Sequence, residues 1–149
     1  MYTRILVPLD GSKRAEAILG HAADLALRYQ AKVIFLQVID PGAVVSGMGG
    51  SYTVADALVI QRLVSDADHY LAARCGEFRV QGIDAEARIG HGDVVHSILS
   101  VAQQENIDLV AMASHGRTGL RQVFYGSVAA GVLQHIDRPL LLIRAVGNT

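Results

Sequence analysis

The run Arg4-Ile5-Leu6-Val7-Pro8-Leu9 is short and almost continuously apolar, which predicts a buried strand. A second such run, Lys32 to Val38, follows a stretch with helical spacing of apolar residues, Lys13 to Tyr29. Strands that are apolar on both faces are typical of a parallel sheet covered by helices on each side. This part of the chain therefore predicts a right-handed βαβ unit.

The rest of the chain continues the same alternation of strand and helix patterns. Helices are predicted over residues 55–78, 94–106 and 128–135, and strands over 85–89, 109–113 and 139–144. Alternating charge in the third strand favours an edge position. The alternation indicates an α/β fold, an open, doubly wound sheet of five parallel strands with helices on both faces. No linker or internal repeat is evident, so residues 1–149 are predicted to form a single domain.

Composition excludes several classes of protein. Of the 149 residues, 51% are hydrophobic and the formal net charge is −1, which excludes a largely disordered chain. No basic stripe interleaves with aromatic residues, so no nucleic-acid partner is expected. No apolar run approaches the ~18 residues of a membrane span, and Met1 to Leu9 is too short for a signal peptide. Cys75 is the only cysteine, which predicts a reducing, cytoplasmic setting.

A glycine-bearing segment between the fourth strand and the last helix predicts an anion site. It reads Ser114-His115-Gly116-Arg117-Thr118-Gly119 and closes on Gly126-Ser127 at the start of the helix. Backbone N–H groups and the helix dipole favour a negative charge there, and glycines let a phosphate approach closely. The same glycines and serine could merely shape a loop and cap a helix. Phosphate binding is the stronger interpretation because loop and helix start coincide at the carboxyl end of a strand.

Other polar residues extend this prediction. Ligands of doubly wound sheets bind beyond the carboxyl ends of the strands, where Asp10, Val38 and Ser114 are expected to converge. Asp10 either forms a turn with Gly11 or contacts ribose hydroxyls or a phosphate-bound Mg²⁺, because a bare phosphate would be repelled. His115 beside Ser114 has no evident third partner for nucleophilic catalysis. His91 and His96 flank Asp93 without a standard metal-ligand spacing.

These residues together resemble the universal stress protein family over nearly the whole chain. The resemblance rests on the start Ile5-Leu6-Val7-Pro8-Leu9-Asp10-Gly11-Ser12, on Val38-Ile39-Asp40 and on Gly92 before the third helix. It rests most on the pattern G-x2-G-x9-G-[ST], which appears here from Ala113 through Gly116 to Gly126-Ser127. Ala113 replaces the first glycine of the pattern.

The resemblance implies a homodimer with strand order 3-2-1-4-5 that binds ATP, or ADP or AMP, with Mg²⁺ reached by Asp10 through the phosphates. Adenine is expected near Asp10 and the Val38 backbone, and phosphates on Gly116 and Gly126-Ser127. The binding residues expected on this basis are Pro8, Leu9, Asp10, Val38, Gly92, Ala113, Ser114, His115, Gly116, Arg117, Gly119, Gly126, Ser127 and Val128.

The family's other branch lacks this glycine pattern and does not bind ATP; this chain resembles the ATP-binding branch, and Ala113 is its one departure from the pattern. A left-handed backbone at this position would cost an alanine roughly 1–2 kcal/mol, whereas an extended backbone would cost it little. Ala113 closes a predicted strand, so the extended conformation and retained binding are predicted.

The sequence therefore predicts a dimeric, ATP-binding stress-response regulator rather than an efficient enzyme. If the last strand, Pro139 to Arg144, lies at the sheet edge, it is expected to pair with its twin in the homodimer. Two alternatives remain open. One is a slow ATPase or adenine-nucleotide hydrolase, and the other is a dimer module that binds no nucleotide because of Ala113.

Overall fold

Strands and helices alternate along the chain in the computed structural model, which describes residues 1–42, 53–116 and 126–146. Helix α1 is preceded by one 3₁₀ turn, Ala15–Ile18. The elements are β1 (Arg4–Pro8), α1 (Leu19–Tyr29), β2 (Lys32–Ile39), α2 (Val54–Val80), β3 (Ala85–His91), α3 (Val94–Gln104), β4 (Leu109–Gly116), α4 (Gly126–His135) and β5 (Leu140–Val146).

All neighbouring strands of the sheet are parallel, in the order β3-β2-β1-β4-β5. This confirms the predicted fold class and strand order. It also confirms that β3 lies at one edge and shows that β5 lies at the other. The chain order reverses between β1 and β4, which is where a doubly wound sheet binds its ligand.

The sheet separates two hydrophobic cores, because successive residues of a strand point to opposite faces. Ile5 and Val7 of β1 pack with α1 and α2, whereas Leu6 packs with α3 and α4. The 3₁₀ turn, α1 and α2 contribute Ile18, Ala22, Ala23, Ala26, Leu71, Cys75 and Phe78 to the first core, and α3 and α4 contribute Ile98, Ala102, Ala129 and Val132 to the second. Helices therefore cover both faces, as the apolar strands predict.

Two helices differ from their predictions. The first differs in its first turn, and α2 differs in which of its residues are buried. The predicted helix from Lys13 begins as a 3₁₀ turn, because Ala17 N–H donates to the Arg14 carbonyl 3.2 Å away. In α2, Ile60 and Leu63 are not buried, contrary to the predicted face, and Leu63 is 38% exposed. A 27-residue helix is about 40 Å long, whereas a seven-residue strand spans only about 23 Å. The first half of α2 therefore overhangs the sheet.

The predicted loop after β4 begins too early. Ser114, His115 and Gly116 are in β4, where they align with Arg144, Ala145 and Val146 of β5. Their polar and glycine-bearing sequence has no local strand signal, and pairing with β5 keeps them extended. Strand β3 likewise runs two residues further than predicted, beside β2. Conversely, α3 ends at Gln104 rather than Asn106, because Asn106 adopts a left-handed φ of 52° and Ile107 N–H donates to the Ala102 carbonyl.

Polar contacts hold the amino ends of the strands together. The Asp108 carboxylate accepts hydrogen bonds from Thr3 N–H at 2.8 Å, Thr3 Oγ1 at 2.7 Å and Arg4 N–H at 3.1 Å. Beside it, alternating charges form a chain of ion pairs that begins on β2, passes through the edge strand β3 and ends on β1. The chain runs Lys32, Glu86, Arg88, Glu105 and Arg4.

Helix α4 approaches α3 so closely at Gly131 that a β-carbon there would lie 2.7 Å from Val95 Cγ2. We expect Gly131→Ala to lower the free energy of unfolding by about 1 kcal/mol, since the overlap exceeds the gain of about 1 kcal/mol in helix propensity. Gly76→Ala in α2 is the control, because a β-carbon at Gly76 would meet nothing within 4 Å. It should stabilise the protein by roughly 0.5–1 kcal/mol. Urea unfolding measures both, and equal effects would contradict the close contact.

Asp108 should make the fold sensitive to acid. Burial opposes its ionisation, but the hydrogen bonds from Thr3 and Arg4 outweigh burial, so the pKa of Asp108 lies below its ordinary value of 3.8. The ionised carboxylate therefore stabilises the fold above pH 3.8, and this contribution is lost as pH falls through the lower folded value. Asp108→Asn should lower the free energy of unfolding by about 2 kcal/mol at pH 7 and flatten its dependence on pH below 5. Urea titrations from pH 7 to 3 test this, and Asp68→Asn on the exposed side of α2 is the control, which should change the free energy of unfolding at pH 7 by no more than about 0.5 kcal/mol.

Candidate functional site

The central strand β1 is shorter than both of its neighbours. It has five residues, whereas β2 and β4 have eight each. Both neighbours therefore extend about 10 Å beyond the carboxyl end of β1. The resulting gap lies between the carboxyl ends of β2 and β4, beyond the end of β1, and we call it the notch. Pairing of β1 with β4 ends at Leu6–Val110, and pairing with β2 ends at Pro8–Leu36.

Pro8 explains why the pairing with β4 stops. The Arg4 carbonyl accepts a hydrogen bond from Asp108 N–H, so Arg4 faces the β4 side. Alternate residues of a strand bond to opposite neighbours, which places Pro8 on the same side as Arg4. Proline has no N–H to donate to β4. The ladder therefore cannot continue, and the two halves of the sheet part at this point.

A cavity of about 290 Å³ fills the notch. Its inner wall is apolar and includes the fully buried side chains of Leu36 and Ile98. Its rim is polar. The lining residues are Pro8, Leu9, Asp10, Ser12, Arg14, Ala15, Leu36, Val38, Val94, Ile98, Met112, Ala113, Ser114, Ser127, Val128 and Ala129. An apolar slot with a few polar groups at its mouth is the usual form of a small-molecule site.

The backbone of Val38 faces this cavity. Leu36 accepts a hydrogen bond from Leu9 N–H, so its backbone faces β1, whereas Ile39 accepts one from Gly92 N–H and faces β3. By the same alternation, the N–H and carbonyl of Val38 face the β1 side. Since β1 has already ended there, these two groups point into the notch. A donor and an acceptor side by side match the edge of a planar heterocycle.

Asp10 lies on the turn between β1 and α1. Gly11 adopts φ of +84°, a conformation that favours glycine, and it folds Ser12 back onto Asp10. Asp10 Oδ1 accepts hydrogen bonds from Ser12 N–H at 2.9 Å and from Ser12 Oγ at 2.6 Å. Ser12 Oγ in turn accepts from Ala15 N–H at 3.1 Å. The turn thus holds an exposed carboxylate at the rim of the cavity.

Two helix N-termini flank the cavity, and they differ in charge. Helix α3 is capped by Asp93, whose carboxylate accepts from His96 N–H at 2.9 Å. Helix α4 begins at Gly126, with φ of +76°, and has no acidic residue in its first turn. Ser127 and Val128 of this turn line the cavity. The α4 end is therefore the one that favours an anion.

The structure brings most of the predicted site residues together. Those that line the cavity are Pro8, Leu9, Asp10, Val38, Ala113, Ser114, Ser127 and Val128. Gly126 directly precedes Ser127 and Val128 on α4. Gly92 is not among the lining residues; with φ of +102° and an N–H bound to the Ile39 carbonyl, it joins β3 to α3. Arg117 and Gly119 lie outside the described residues, and for His115 and Gly116 the structure describes only their places in β4.

Ala113 has an extended backbone. It aligns with Ile143 of β5, and the non-glycine residues with positive φ in the described chain are Gln30 and Asn106. Alanine in place of glycine therefore strains nothing here. The predicted extended conformation of Ala113 is confirmed.

Sequence reasoning missed several lining residues, among them Arg14, Leu36, Val94, Ile98 and Met112. Two of them had a signal. Leu36 and Met112 lie two residues before Val38 and Ser114, so they point to the same face of the sheet. Val94 and Ile98 belong to α3, and only the packing of that helix over the notch reveals them.

The lining has limited capacity to hold a metal by itself. Among the described lining residues, Asp10 is the only carboxylate, and no group of three or more His, Cys, Asp or Glu side chains lies close enough to form a metal site in the described ranges. A Mg²⁺ ion would take its other ligands from phosphate oxygens and water, as this ion commonly does.

No helix in the described part of the chain has the length and apolarity needed to cross a bilayer.

Comparisons with known proteins match this architecture. A family model described as the universal stress protein family matches residues 1–144. Universal stress protein MJ0577 of Methanocaldococcus jannaschii is 27% identical over 97% of this chain and 96% of its own. Its solved structure superposes with a TM-score of 0.83 and covers 99% of both chains. The chain belongs to the universal stress protein family.

Two further solved relatives carry adenine nucleotides. One is the universal stress protein from Archaeoglobus fulgidus in complex with dAMP, with a TM-score of 0.67, 22% identity, and coverage of 95% of this chain and 98% of that one. The other is a universal stress protein in complex with cAMP, with a TM-score of 0.66, 20% identity, and coverage of 97% and 98%. At these identities the likeness shows a common fold.

Proposed function

We propose that this universal stress protein binds an adenine nucleotide in the notch, with ATP as the expected ligand, and acts as a nucleotide-dependent regulatory module. The observation that carries the proposal is the cavity itself. It combines an apolar wall, the Val38 backbone that faces the β1 side beyond the end of β1, and the N-terminus of α4 at the switch point of the sheet.

The asymmetry of the cavity favours one orientation of such a ligand. The phosphates are expected at the N-terminus of α4, near Gly126 and Ser127, because the acidic cap Asp93 makes the α3 end unfavourable for an anion. The base is then expected against Leu36, Ile98 and the Val38 backbone. Adenine offers a ring-nitrogen acceptor and, beside it, an amino donor, which match the Val38 N–H and carbonyl.

Asp10 is expected to contact the nucleoside rather than bare phosphate. A carboxylate repels phosphate oxygens but accepts hydrogen bonds from hydroxyl or amino groups. If Asp10 approaches the phosphates, Mg²⁺ carried by them would offset the repulsion. The relatives solved with dAMP and cAMP support the adenine nucleotide class for this fold.

The described polar lining supports binding as the main task. It offers hydroxyls and one carboxylate, which are groups that recognise nucleotides. We further propose a homodimer through β5. Residues Leu140 to Ile143 form an apolar run on an edge strand, where pairing with a second copy would satisfy the outward backbone groups.

Gly126→Asp should abolish nucleotide binding, because it places a negative charge where phosphate is expected. A like charge about 4 Å away costs about 3–4 kcal/mol, which weakens binding at least a hundredfold. Calorimetry with ATP and Mg²⁺ should show saturable binding to the wild-type protein and none to the variant.

Gly82→Asp is the matched control for this experiment. Gly82 also has a positive φ, +86°, and a β-carbon there would meet nothing within 4 Å, but it follows α2 at the opposite end of the sheet. It carries the same backbone strain and the same added charge, yet ATP binding should be unchanged. Equal affinities of the two variants would contradict a phosphate site at α4.

Ala113→Gly should leave the affinity for ATP within about twofold, because Ala113 already has an extended backbone that costs alanine little. The substitution should lower the free energy of unfolding by about 0.5–1 kcal/mol, as glycine does inside a strand. Calorimetry and urea unfolding measure the two effects. A tenfold gain in affinity would show instead that the site requires glycine.

A further inference from the structure

We propose that Ser12 is a positioning residue for Asp10, and that it presents a single carboxylate oxygen, Oδ2, to the nucleotide. The inference rests on the proposed nucleotide binding and adds a residue to it. Both side chains line the cavity, but only Asp10 is expected to contact the ligand.

The hydrogen bonds of Ser12 fix the direction of its hydroxyl proton. Ser12 Oγ accepts a hydrogen bond from Ala15 N–H at 3.1 Å. Its own proton is therefore available for the Asp10 carboxylate, whose Oδ1 lies 2.6 Å away. A hydroxyl bonded to a carboxylate at this distance forms a strong, charge-assisted hydrogen bond.

Asp10 Oδ1 therefore accepts its hydrogen bonds from Ser12. It accepts from both the backbone N–H and the hydroxyl of Ser12, at 2.9 Å and 2.6 Å. Because both of these bonds end on Oδ1, they leave Oδ2 as the oxygen that can accept from a ligand. With one oxygen left, the carboxylate is suited to accept from one hydroxyl or amino group of the nucleoside. It is not suited to bind two such groups with both oxygens.

The benefit to binding is that the carboxylate is ordered before the ligand arrives. Asp10 is exposed, whereas Ser12 is half-buried and anchored to the first turn of the helix region. Without the hydroxyl, only the backbone N–H of residue 12 would hold the Asp10 carboxylate, and binding would have to restrict the additional freedom of this side chain. Holding one flexible side chain in its bound rotamer is commonly worth a several-fold change in affinity.

The Ser12–Ala15 hydrogen bond alone would describe a helix cap, which affects stability but not recognition. A double-mutant cycle distinguishes the two roles. Binding of AMP is measured by calorimetry for the wild type, Ser12→Ala, Asp10→Ala and the double variant, with unfolding followed separately for each. Ser12→Thr keeps the hydroxyl, and Ser12→Gly is a second variant without it, since glycine is well tolerated at helix starts.

We expect Ser12→Ala and Ser12→Gly to weaken AMP binding about fivefold and Asp10→Ala about tenfold, as loss of an ordered hydrogen bond implies. In the Asp10→Ala background, Ser12→Ala should have no further effect on affinity, although it should still lower stability. Ser12→Thr should bind within about twofold of the wild type.

Two outcomes overturn the inference in different ways. If Ser12→Ala weakens binding equally with and without Asp10, Ser12 acts as a helix cap only, and the proposed nucleotide site stands. If the wild-type protein binds neither AMP nor ATP, the proposed function fails and the inference fails with it.

Discussion

The early end of the central strand is the constraint on which the site depends. Strand β1 stops at Pro8 while β2 and β4 continue for about 10 Å on either side. A proline at this position removes the N–H that would have extended pairing to β4. A longer β1 would occupy the cavity and pair with the Val38 backbone. The same interruption opens the space and leaves a donor and an acceptor inside it.

The elements around the notch divide the work of recognition. The β1–α1 turn supplies Asp10 and Ser12, β2 supplies main-chain groups, and α4 supplies a helix N-terminus free of acidic residues. None of these features alone would define a site, because turn aspartates and helix ends are common. Their convergence at the switch point of the sheet is what supports the proposed nucleotide site.

The sequence predicted whatever depends on local pattern. Apolar runs and their helical spacing identified all the strands and helices described, and Gly11, Gly126 and Ser127 mark real turns or helix starts. The features that it did not predict depend on contacts with elements distant in sequence. Ser114 to Gly116 are extended because β5 lies beside them, and Leu63 is exposed because α2 outruns the sheet it covers. Arg14 and Ile98 reach the cavity only through packing that no local pattern encodes.

The polar network at the amino ends of the strands lies at the opposite end of the sheet from the notch. Hydrogen bonds from Lys32 and Arg88 lower the pKa of Glu86, and those from Thr3 and Arg4 lower that of Asp108. Neither Glu86 nor Asp108 is among the described residues that line the notch cavity. Tolerance of acid and affinity for ligand can consequently be tuned by separate sets of substitutions, so a lineage can adapt to a new habitat without remaking its recognition chemistry.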